Sequence, residues 1–339
     1  MSTDTNLGAL FVVLGGIIHG SFALPMKRME GIWKWENIWL VYSIVTTIVF
    51  PCALAFATIP GLGDVYAGAS VATLAIVALF GFGWGLGSTL FGLAISRVGI
   101  ALTFAIVLGI TSSIGSLLPL ILNDPAQLFT TRGAILLTGL ALVVSGIICC
   151  AAAGSMRDKE LKGGAAAATG GGFGTGLIIC ILSGLLSPML NFSFVYGKPL
   201  QDAAAAAGAS GAVASFAIWA PALAGGFLAN AGYAIYLLGK NKSWSIYASG
   251  APAWFWLGAV MMGIMWYGGL SLYGFGGSIM GSLGPVVGWP VFMSTVVIVG
   301  NIIGVLSGEW KGASSKARGM SWLGVAILVV AIVVISRAS

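Results

Sequence analysis

The single histidine of the chain, His19, lies well inside the first apolar stretch, whereas the nine acidic residues fall in polar stretches or near the ends of apolar ones. An ionisable group deep in a membrane costs free energy and is therefore a candidate for function. Imidazole titrates near neutral pH and can take up and release a proton. We predict that His19 couples a proton to the activity and contacts the substrate. A neutral histidine bonded to a neighbouring helix is the structural alternative.

Aromatic rings and small hydrogen-bonding groups recur inside the other apolar stretches. Sugars have apolar C–H faces and hydroxyl edges, so a sugar site needs a flat ring beside several polar groups. For any one of these aromatic residues, packing in the protein core is the alternative. Together with His19, the predicted substrate-binding residues are Trp84, Ser88, Thr111, Asn191, Trp266, Tyr267, Tyr273 and Trp289.

Residues 281–290 read Gly-Ser-Leu-Gly-Pro-Val-Val-Gly-Trp-Pro, with two prolines and three glycines. Such a composition should interrupt a regular helix. Irregular backbone at membrane depth is tolerated where it is buried in protein or lines a cavity. The pattern predicts a discontinuous helix whose backbone groups bind a polar substrate, with a helix kinked for packing as the alternative.

Lys198 and Asp202 carry opposite charges at the end of the sixth apolar stretch. We predict that they form a gating pair at the outer side of the site. The alternative is an ion pair in a solvated loop, since exposed pairs of this kind are common and contribute little to stability.

Motifs of enzymes and of metal sites are missing from the sequence. It contains no phosphate-binding GxxxxGK[ST], no HExxH and no GxSxG motif. The four cysteines lie in apolar runs without a CxxC spacing. We therefore predict that the chain is not an enzyme and uses no metal and no cofactor.

The composition indicates which elements position these residues. Of 339 residues, 58% are hydrophobic and 7% charged, whereas soluble domains carry about 25% charged residues. Continuous apolar runs of about 18 residues or more are typical of membrane helices and too long for barrel strands. We predict an all-α polytopic membrane protein embedded in the lipid bilayer, with ten transmembrane helices near residues 7–26, 37–59, 70–95, 98–122, 132–153, 173–195, 210–238, 252–273, 278–306 and 320–337.

A polar, Gly- and Ala-rich interruption at residues 154–172 divides these helices into five and five. Repeats with an odd number of helices must lie in opposite orientations, and inverted repeats are typical of transporters that bind substrate between the halves. We predict a first five-helix repeat at 1–153, a cytoplasmic linker at 154–172 and a second five-helix repeat at 173–339. Trp84 and Trp266 begin similar short sequences in the third and eighth spans.

Lysine and arginine residues predict the orientation in the membrane, because they concentrate in cytoplasmic loops. Twelve of the 15 lie in odd-numbered loops and three in even-numbered loops or at the termini. The odd loops should therefore be cytoplasmic and both termini outside. The net charge of +6 reflects this topology, and no nucleic-acid partner is predicted.

Several short motifs are spread along the whole chain. Near span 1 they are Pro25, Lys27, Arg28 and Trp33-Lys34-Trp35-Glu36, and in spans 3 and 4 they are Leu79-Phe80-Gly81, Trp84-Gly85, Gly87, Gly92-Leu93, Gly99, Gly109-Ile110-Thr111 and Gly115. After span 6 they are Lys198-Pro199, Asp202-Ala203-Ala204-Ala205-Ala206 and Gly208, and after span 9 Glu309-Trp310. With these motifs the chain resembles the bacterial L-rhamnose–proton symporter family of the drug/metabolite transporter superfamily. The resemblance implies ten helices in two inverted five-helix repeats, both termini outside the bacterial inner membrane, and proton-driven uptake of a deoxyhexose.

We therefore expect a secondary active transporter that imports a monosaccharide, L-rhamnose or a related sugar, by proton symport and alternating access. One alternative is an exporter of a small metabolite or drug, as elsewhere in the superfamily. Another is a membrane sensor or structural subunit that transports nothing. The sequence does not define the oligomeric state.

Overall fold

The structure, a computed structural model, describes residues 4–29, 33–98, 100–162, 173–248 and 250–337, and over these ranges the chain is helical without a β-strand. Eight helical segments are long and apolar enough to cross a membrane, at Trp35–Thr58, Val71–Ala94, Thr131–Leu161, Gly174–Ala206, Val213–Lys240, Ala253–Met280, Gly284–Leu306 and Ser315–Ser336. Two shorter apolar helices accompany them, Thr5–Gly20 and Ile106–Leu122. The predicted all-α protein with several apolar helices is confirmed.

The α-helices of the described ranges are, in chain order, α1 Thr5–Gly20, α2 Met26–Met29, α3 Trp35–Ile44, α4 Phe50–Thr58, α5 Leu62–Gly68, α6 Val71–Val98, α7 Ile100–Asn123, α8 Thr131–Lys162, α9 Phe173–Leu186, α10 Met189–Tyr196, α11 Lys198–Ala206, α12 Phe216–Lys240, α13 Ala253–Met280, α14 Trp289–Leu306 and α15 Ser315–Ser336. One wide π-helical turn, Val45–Val49, joins α3 to α4, and another, Gly284–Gly288, leads into α14.

The outer surface of the helix bundle is apolar. Large hydrophobic side chains point away from the core, and Leu10, Phe56, Leu79, Leu228 and Val333 are each more than half exposed. Extended apolar surface of this kind is rare on soluble monomers and marks contact with a membrane or a partner. On a chain with so few charges, it fits helices that face lipid.

The contacts between the two halves of the chain come in matching pairs. Helix α1 packs on α13 and α14, and α9 correspondingly packs on α6 and α7. Helix α12 packs on α6, α3 packs on α13, and α8 packs on α15. Small residues allow the close approach: a Cβ on Gly15 of α1 would lie 2.6 Å from the Gly269 carbonyl oxygen of α13.

Helix α6 carries two glycine pairs at GxxxG spacing that contact different neighbours. Gly81 and Gly85 lie against the α12 backbone at Ala222 and Gly226. Gly83 and Gly87 lie against the start of α10 and the end of α9. A side chain at Gly81 would overlap the Ala222 carbonyl, so the helices can approach this closely only where no Cβ is present.

The first and sixth predicted spans are both broken near a proline. Helix α1 ends at Gly20 and α2 begins at Met26, directly after Pro25. In the same way α9 ends at Leu186 and α10 begins at Met189, directly after Pro188. A proline lacks the backbone N–H that would continue the preceding helix, which explains both breaks.

The predicted interruption within residues 281–290 lies between two helices and not in the middle of one. Helix α13 ends at Met280, and Gly281 has a positive φ of 63°, a conformation that glycine adopts without strain. The π-helical turn Gly284–Gly288 then leads directly into α14. Pro285 is tolerated because the first residues of a helix need no intrahelical N–H partner.

The start of the predicted linker is helical. Helix α8 continues through Arg157 and Glu160 to Lys162, so residues 154–162 extend the fifth span. Glu160 accepts hydrogen bonds from the backbone N–H and hydroxyl of Ser314, which hold this extension against the start of α15. The remaining linker residues, 163–172, lie outside the described residues.

Candidate functional site

His19 lies at the end of α1, next to the break before α2, with 8% of its surface exposed. Its Nδ1 is 3.0 Å from the carbonyl oxygen of Trp266 on α13. A carbonyl oxygen can only accept a hydrogen bond, so Nδ1 carries the hydrogen and Nε2 is left to take up a further proton. The contact is possible because Gly269 has no side chain: a Cβ there would lie 2.6 Å from the His19 Cβ.

Aromatic rings surround the His19 imidazole. The ring of Trp266 is 4.8 Å away and that of Phe292 on α14 is 5.0 Å away, measured between centroids. Trp266 also contacts Trp84 of α6, with centroids 5.1 Å apart. Three of the predicted site residues, His19, Trp84 and Trp266, are therefore in direct contact between the halves of the chain.

Asn191 forms a second part of the site, where α10 meets α7 and α13. Its Nδ2 donates to the carbonyl oxygen of Gly115 at 2.8 Å and to that of Pro285 at 3.3 Å. Its Oδ1 accepts a hydrogen bond from the Tyr273 hydroxyl. A fully buried amide is stable only when its donors and acceptors are paired, and here the partners come from three separate segments.

Trp289 and Tyr273 connect the two parts. The Trp289 indole N–H donates to the Thr111 carbonyl oxygen at 3.2 Å, and its ring is 5.5 Å from that of Tyr273. The Tyr273 ring in turn is 5.2 Å from Phe292, which contacts His19. A continuous chain of contacts thus runs from Trp84 through His19 to Thr111; we call its residues the central cluster, namely His19, Trp84, Thr111, Asn191, Trp266, Tyr273, Trp289 and Phe292.

Two predicted site residues lie beside this cluster. The Ser88 hydroxyl donates to Oδ1 of Asn230 on α12 at 3.3 Å. Tyr267 is fully buried, with its ring 5.6 Å from that of Phe50 on α4. Phe292 is not among the residues predicted from the sequence, because one phenylalanine in an apolar run carries no distinguishing pattern.

A cavity of about 660 Å³ opens at the end of the bundle that carries the even-numbered loops. It lies between the end of α7, α10, α11 and the end of α13, and Phe194 and Pro285 line it. Since the Pro285 carbonyl bonds Asn191, the cavity adjoins the central cluster.

The predicted gating residues Lys198 and Asp202 line the cavity. They form an ion pair one turn apart on α11, and each side chain is 61% exposed. Both residues belong to α11, so this ion pair does not connect α11 to another helix. Their gating role stays a prediction.

At the opposite end, the first turn of α3 is bonded to the loop after α12. Glu36, the one buried carboxylate among the described residues at 4% exposure, accepts hydrogen bonds from Asn241 Nδ2 at 2.9 Å and Ser243 Oγ at 2.7 Å. Lys34 Nζ lies 3.5 Å from the Asn241 carbonyl oxygen. These contacts join the first half of the chain to the second.

Asn37 and Tyr247 extend this closure. Asn37 Nδ2 donates to the Ser243 carbonyl oxygen at 3.0 Å, and the Tyr247 hydroxyl donates to the Asn37 carbonyl oxygen at 2.9 Å. Burial raises the pKa of Tyr247 to about 12, so its hydroxyl stays protonated and remains a donor at physiological pH. We call Lys34, Glu36, Asn37, Asn241, Ser243 and Tyr247 the polar closure.

The whole chain, residues 1–339, matches the family described as L-rhamnose-proton symport protein. Similar proteins include the L-rhamnose-proton symporters of Cronobacter sakazakii, at 28% identity, and of Klebsiella pneumoniae subsp. pneumoniae and Escherichia coli O1:K1, each at 27%. Each of these comparisons covers 98% of this chain and 97% of the relative.

Proposed function

The chain belongs to the L-rhamnose-proton symport family, and from that premise we propose that it imports a monosaccharide, L-rhamnose or a related sugar, together with protons. The family consists of transporters, in agreement with the prediction that the chain is not an enzyme. Its apolar helices and bacterial relatives agree with a multi-pass protein of the bacterial inner membrane.

The asymmetry of the bundle is the observation that carries the mechanism. A cavity opens at the even-loop end and adjoins the central cluster at Pro285, while the polar closure bonds the halves together at the odd-loop end. In alternating access, a site between two halves is open to one side at a time. We assign this structure to the outward-open state, with the even-loop end and both termini outside, as the distribution of lysine and arginine predicts.

Two inverted five-helix repeats, at 1–153 and 173–339, account for the packing. In these repeats α1 corresponds to α9, α3 to α12 and α6 to α13. The contact of α1 with α13 then corresponds to that of α9 with α6, and the contact of α12 with α6 to that of α3 with α13. All four pairs of helices are in contact. Trp84 and Trp266 each lie thirteen residues after the first residue of a 28-residue helix. Their rings meet between the halves, as expected of two equivalent residues near a symmetry axis.

The central cluster is the proposed sugar site of the occluded state. Its aromatic rings provide apolar faces, and Asn191, Thr111 and Tyr273 provide the polar groups. In the outward-open state the Tyr273 hydroxyl donates to Asn191, and the Asn191 amide donates to the Gly115 carbonyl oxygen. The Thr111 carbonyl oxygen accepts from the Trp289 indole N–H. Sugar hydroxyls would replace these bonds when the two halves rearrange.

His19 is the proposed proton carrier. It lies on the first half of the chain, and its Nδ1 is bonded to the Trp266 carbonyl oxygen of the second half. Its Nε2 can therefore accept a proton. Protonation would place a charge between α1 and α13, where burial disfavours it. Movement of the halves that exposes His19 to the cytoplasm would release the proton, which couples sugar import to the proton gradient.

Uptake into proteoliposomes tests this function. Purified protein should accumulate radiolabelled L-rhamnose when the lumen is more alkaline than the medium, and a protonophore should abolish the accumulation. Export driven in the opposite direction would favour the alternative of an exporter. Absence of flux for every monosaccharide in either direction would favour a sensor or structural subunit.

A further inference from the structure

Gln201 and Phe194 line the cavity at the even-loop end, and the contacts that hold these two side chains in place suit them to bind a sugar. We propose that this cavity is an outer recognition site for a monosaccharide, in which Gln201 binds hydroxyl groups and Phe194 binds an apolar edge of the ring. The proposal rests on the proposed function. It adds a place where the sugar is held before it reaches the central cluster.

Gln201 is fixed by its neighbours. Although it lies on a polar helix, it is 8% exposed. Its Nε2 donates to the Gly211 carbonyl oxygen at 3.1 Å and to the Ser278 hydroxyl at 2.9 Å. These bonds use both amide hydrogens, while Oε1 has no hydrogen-bond partner among the described residues. Gln201 therefore presents an oriented acceptor in the cavity wall, as the hydroxyl group of a polyol requires.

Phe194 is an equally fixed apolar surface. Its ring stacks on Trp219 with centroids 5.5 Å apart and an angle of 8° between the planes, and Tyr273 contacts it at 5.7 Å. It is 6% exposed and lines the cavity. Rigid aromatic rings supply contact area for the C–H groups of a sugar at little cost in conformational entropy.

Gly277 of α13 leaves part of the Phe194 ring uncovered. A Cβ at position 277 would lie 3.4 Å from Cε1 and Cζ of that ring, which is ordinary van der Waals contact. Glycine inside a helix is less stable than alanine by roughly 1 kcal/mol. Alanine would thus fit here and favour the helix, but it would cover the ring edge that we assign to the sugar.

The dimensions and the polarity of the cavity agree with this assignment. Ligand sites commonly occupy about 300 to 1,000 Å³, and this cavity measures about 660 Å³. Its rim is polar, with the Lys198–Asp202 ion pair on one side and the bonded pair Asp124 and Gln127 on the other. A sugar on Phe194 would lie next to Pro285, whose carbonyl bonds Asn191.

Equilibrium binding of L-rhamnose to purified protein in detergent tests the site without requiring transport. Gly277→Ala should weaken binding by about threefold to tenfold, the loss of one aromatic contact, while its melting temperature stays equal or rises. Gly268→Ala is the matched control, because it lies on the same helix with no atom within 4 Å of an added Cβ. It should bind like the wild type.

Gln201→Leu removes the acceptor but keeps a side chain of similar size. It should weaken L-rhamnose binding by about threefold to tenfold, the contribution of one or two hydrogen bonds. Ser278→Ala, which removes one of the two groups that orient Gln201, should have a smaller effect in the same direction. Counterflow exchange should show a raised KM with little change in the maximal rate.

The outcomes separate this proposal from the function itself. Wild-type protein that binds and transports L-rhamnose, combined with Gly277→Ala and Gln201→Leu proteins that bind it within about twofold of wild type, would overturn the outer site alone. Wild-type protein that binds no monosaccharide would overturn both. If Gln201→Leu does not fold, Gly277→Ala against Gly268→Ala decides the question.

Discussion

Removal of the Glu36 carboxylate should open the polar closure and shift the transporter toward its inward-open form. Glu36→Ala deletes the acceptor of two hydrogen bonds, from Asn241 at 2.9 Å and Ser243 at 2.7 Å. A hydrogen bond to a charged group contributes about 1.5 to 3 kcal/mol when buried. The closure lies at the end of the bundle, where solvent can replace part of the loss.

The net effect is therefore expected to be about 2 kcal/mol, or roughly 30-fold in the equilibrium between the two forms. Starting from an even distribution, the outward-open population would fall to roughly 3%. Glu36→Gln keeps a neutral acceptor oxygen, so its shift should be smaller. Asp64→Asn, which neutralises an exposed acid outside the closure, is the matched control and should leave the distribution unchanged.

Labelling of single cysteines measures this shift. In a background without the four native cysteines, Leu283→Cys reports on the cavity, because Leu283 lines it and is partly buried. Ser210→Cys is the reference, because Ser210 is exposed in the loop after α11 and does not line the cavity. With Glu36→Ala added, a membrane-impermeant maleimide outside should label the Leu283→Cys protein more slowly and the Ser210→Cys protein at an unchanged rate. Equal labelling of the Leu283→Cys thiol with and without Glu36 would refute the role of the closure.

Three further predictions follow from the central cluster and from the helix contacts. His19→Ala should abolish accumulation of L-rhamnose driven by a pH gradient but retain counterflow exchange; a variant that still concentrates the sugar would place coupling elsewhere. Tyr273→Phe removes the hydroxyl that donates to Asn191 and should cost about 1 kcal/mol of stability, seen as a lower melting temperature. Gly81→Leu should prevent α6 from packing on α12 and abolish folded protein, whereas Gly92→Leu, with open space around the Cβ position, should still yield it; normal yield of the Gly81→Leu protein would contradict the close approach.

Much of the helical architecture is readable from local sequence. Continuous apolar runs predict membrane helices because each backbone group must be bonded within its own segment. The paired glycines of α6 likewise predict close packing. The predicted interruption is present within 281–290, but it separates two helices and does not divide one, because composition shows that a helix must break but not where the neighbouring helices end. Gly281 ends α13 before the prolines are reached.

The site itself is only partly predictable, because its contacts join residues far apart in the chain. His19 is identifiable as the only histidine, but its partner Trp266 is 247 positions away. Glu36 resembles any residue at the end of a span, and its acceptor role depends on residues more than 200 positions later. Gln201 and Phe194 carry no signal in the sequence, since one lies in a polar helix and the exposure of the other depends on Gly277.

Sugar-induced proton movement tests the proposed symport most directly. Addition of L-rhamnose to de-energised cells or unbuffered proteoliposomes that contain the protein should alkalinise the medium, because each imported sugar carries protons inward. The His19→Ala protein should give no such change while still exchanging L-rhamnose. Uptake of L-rhamnose by the wild-type protein without a change in external pH, or with acidification, would contradict proton symport.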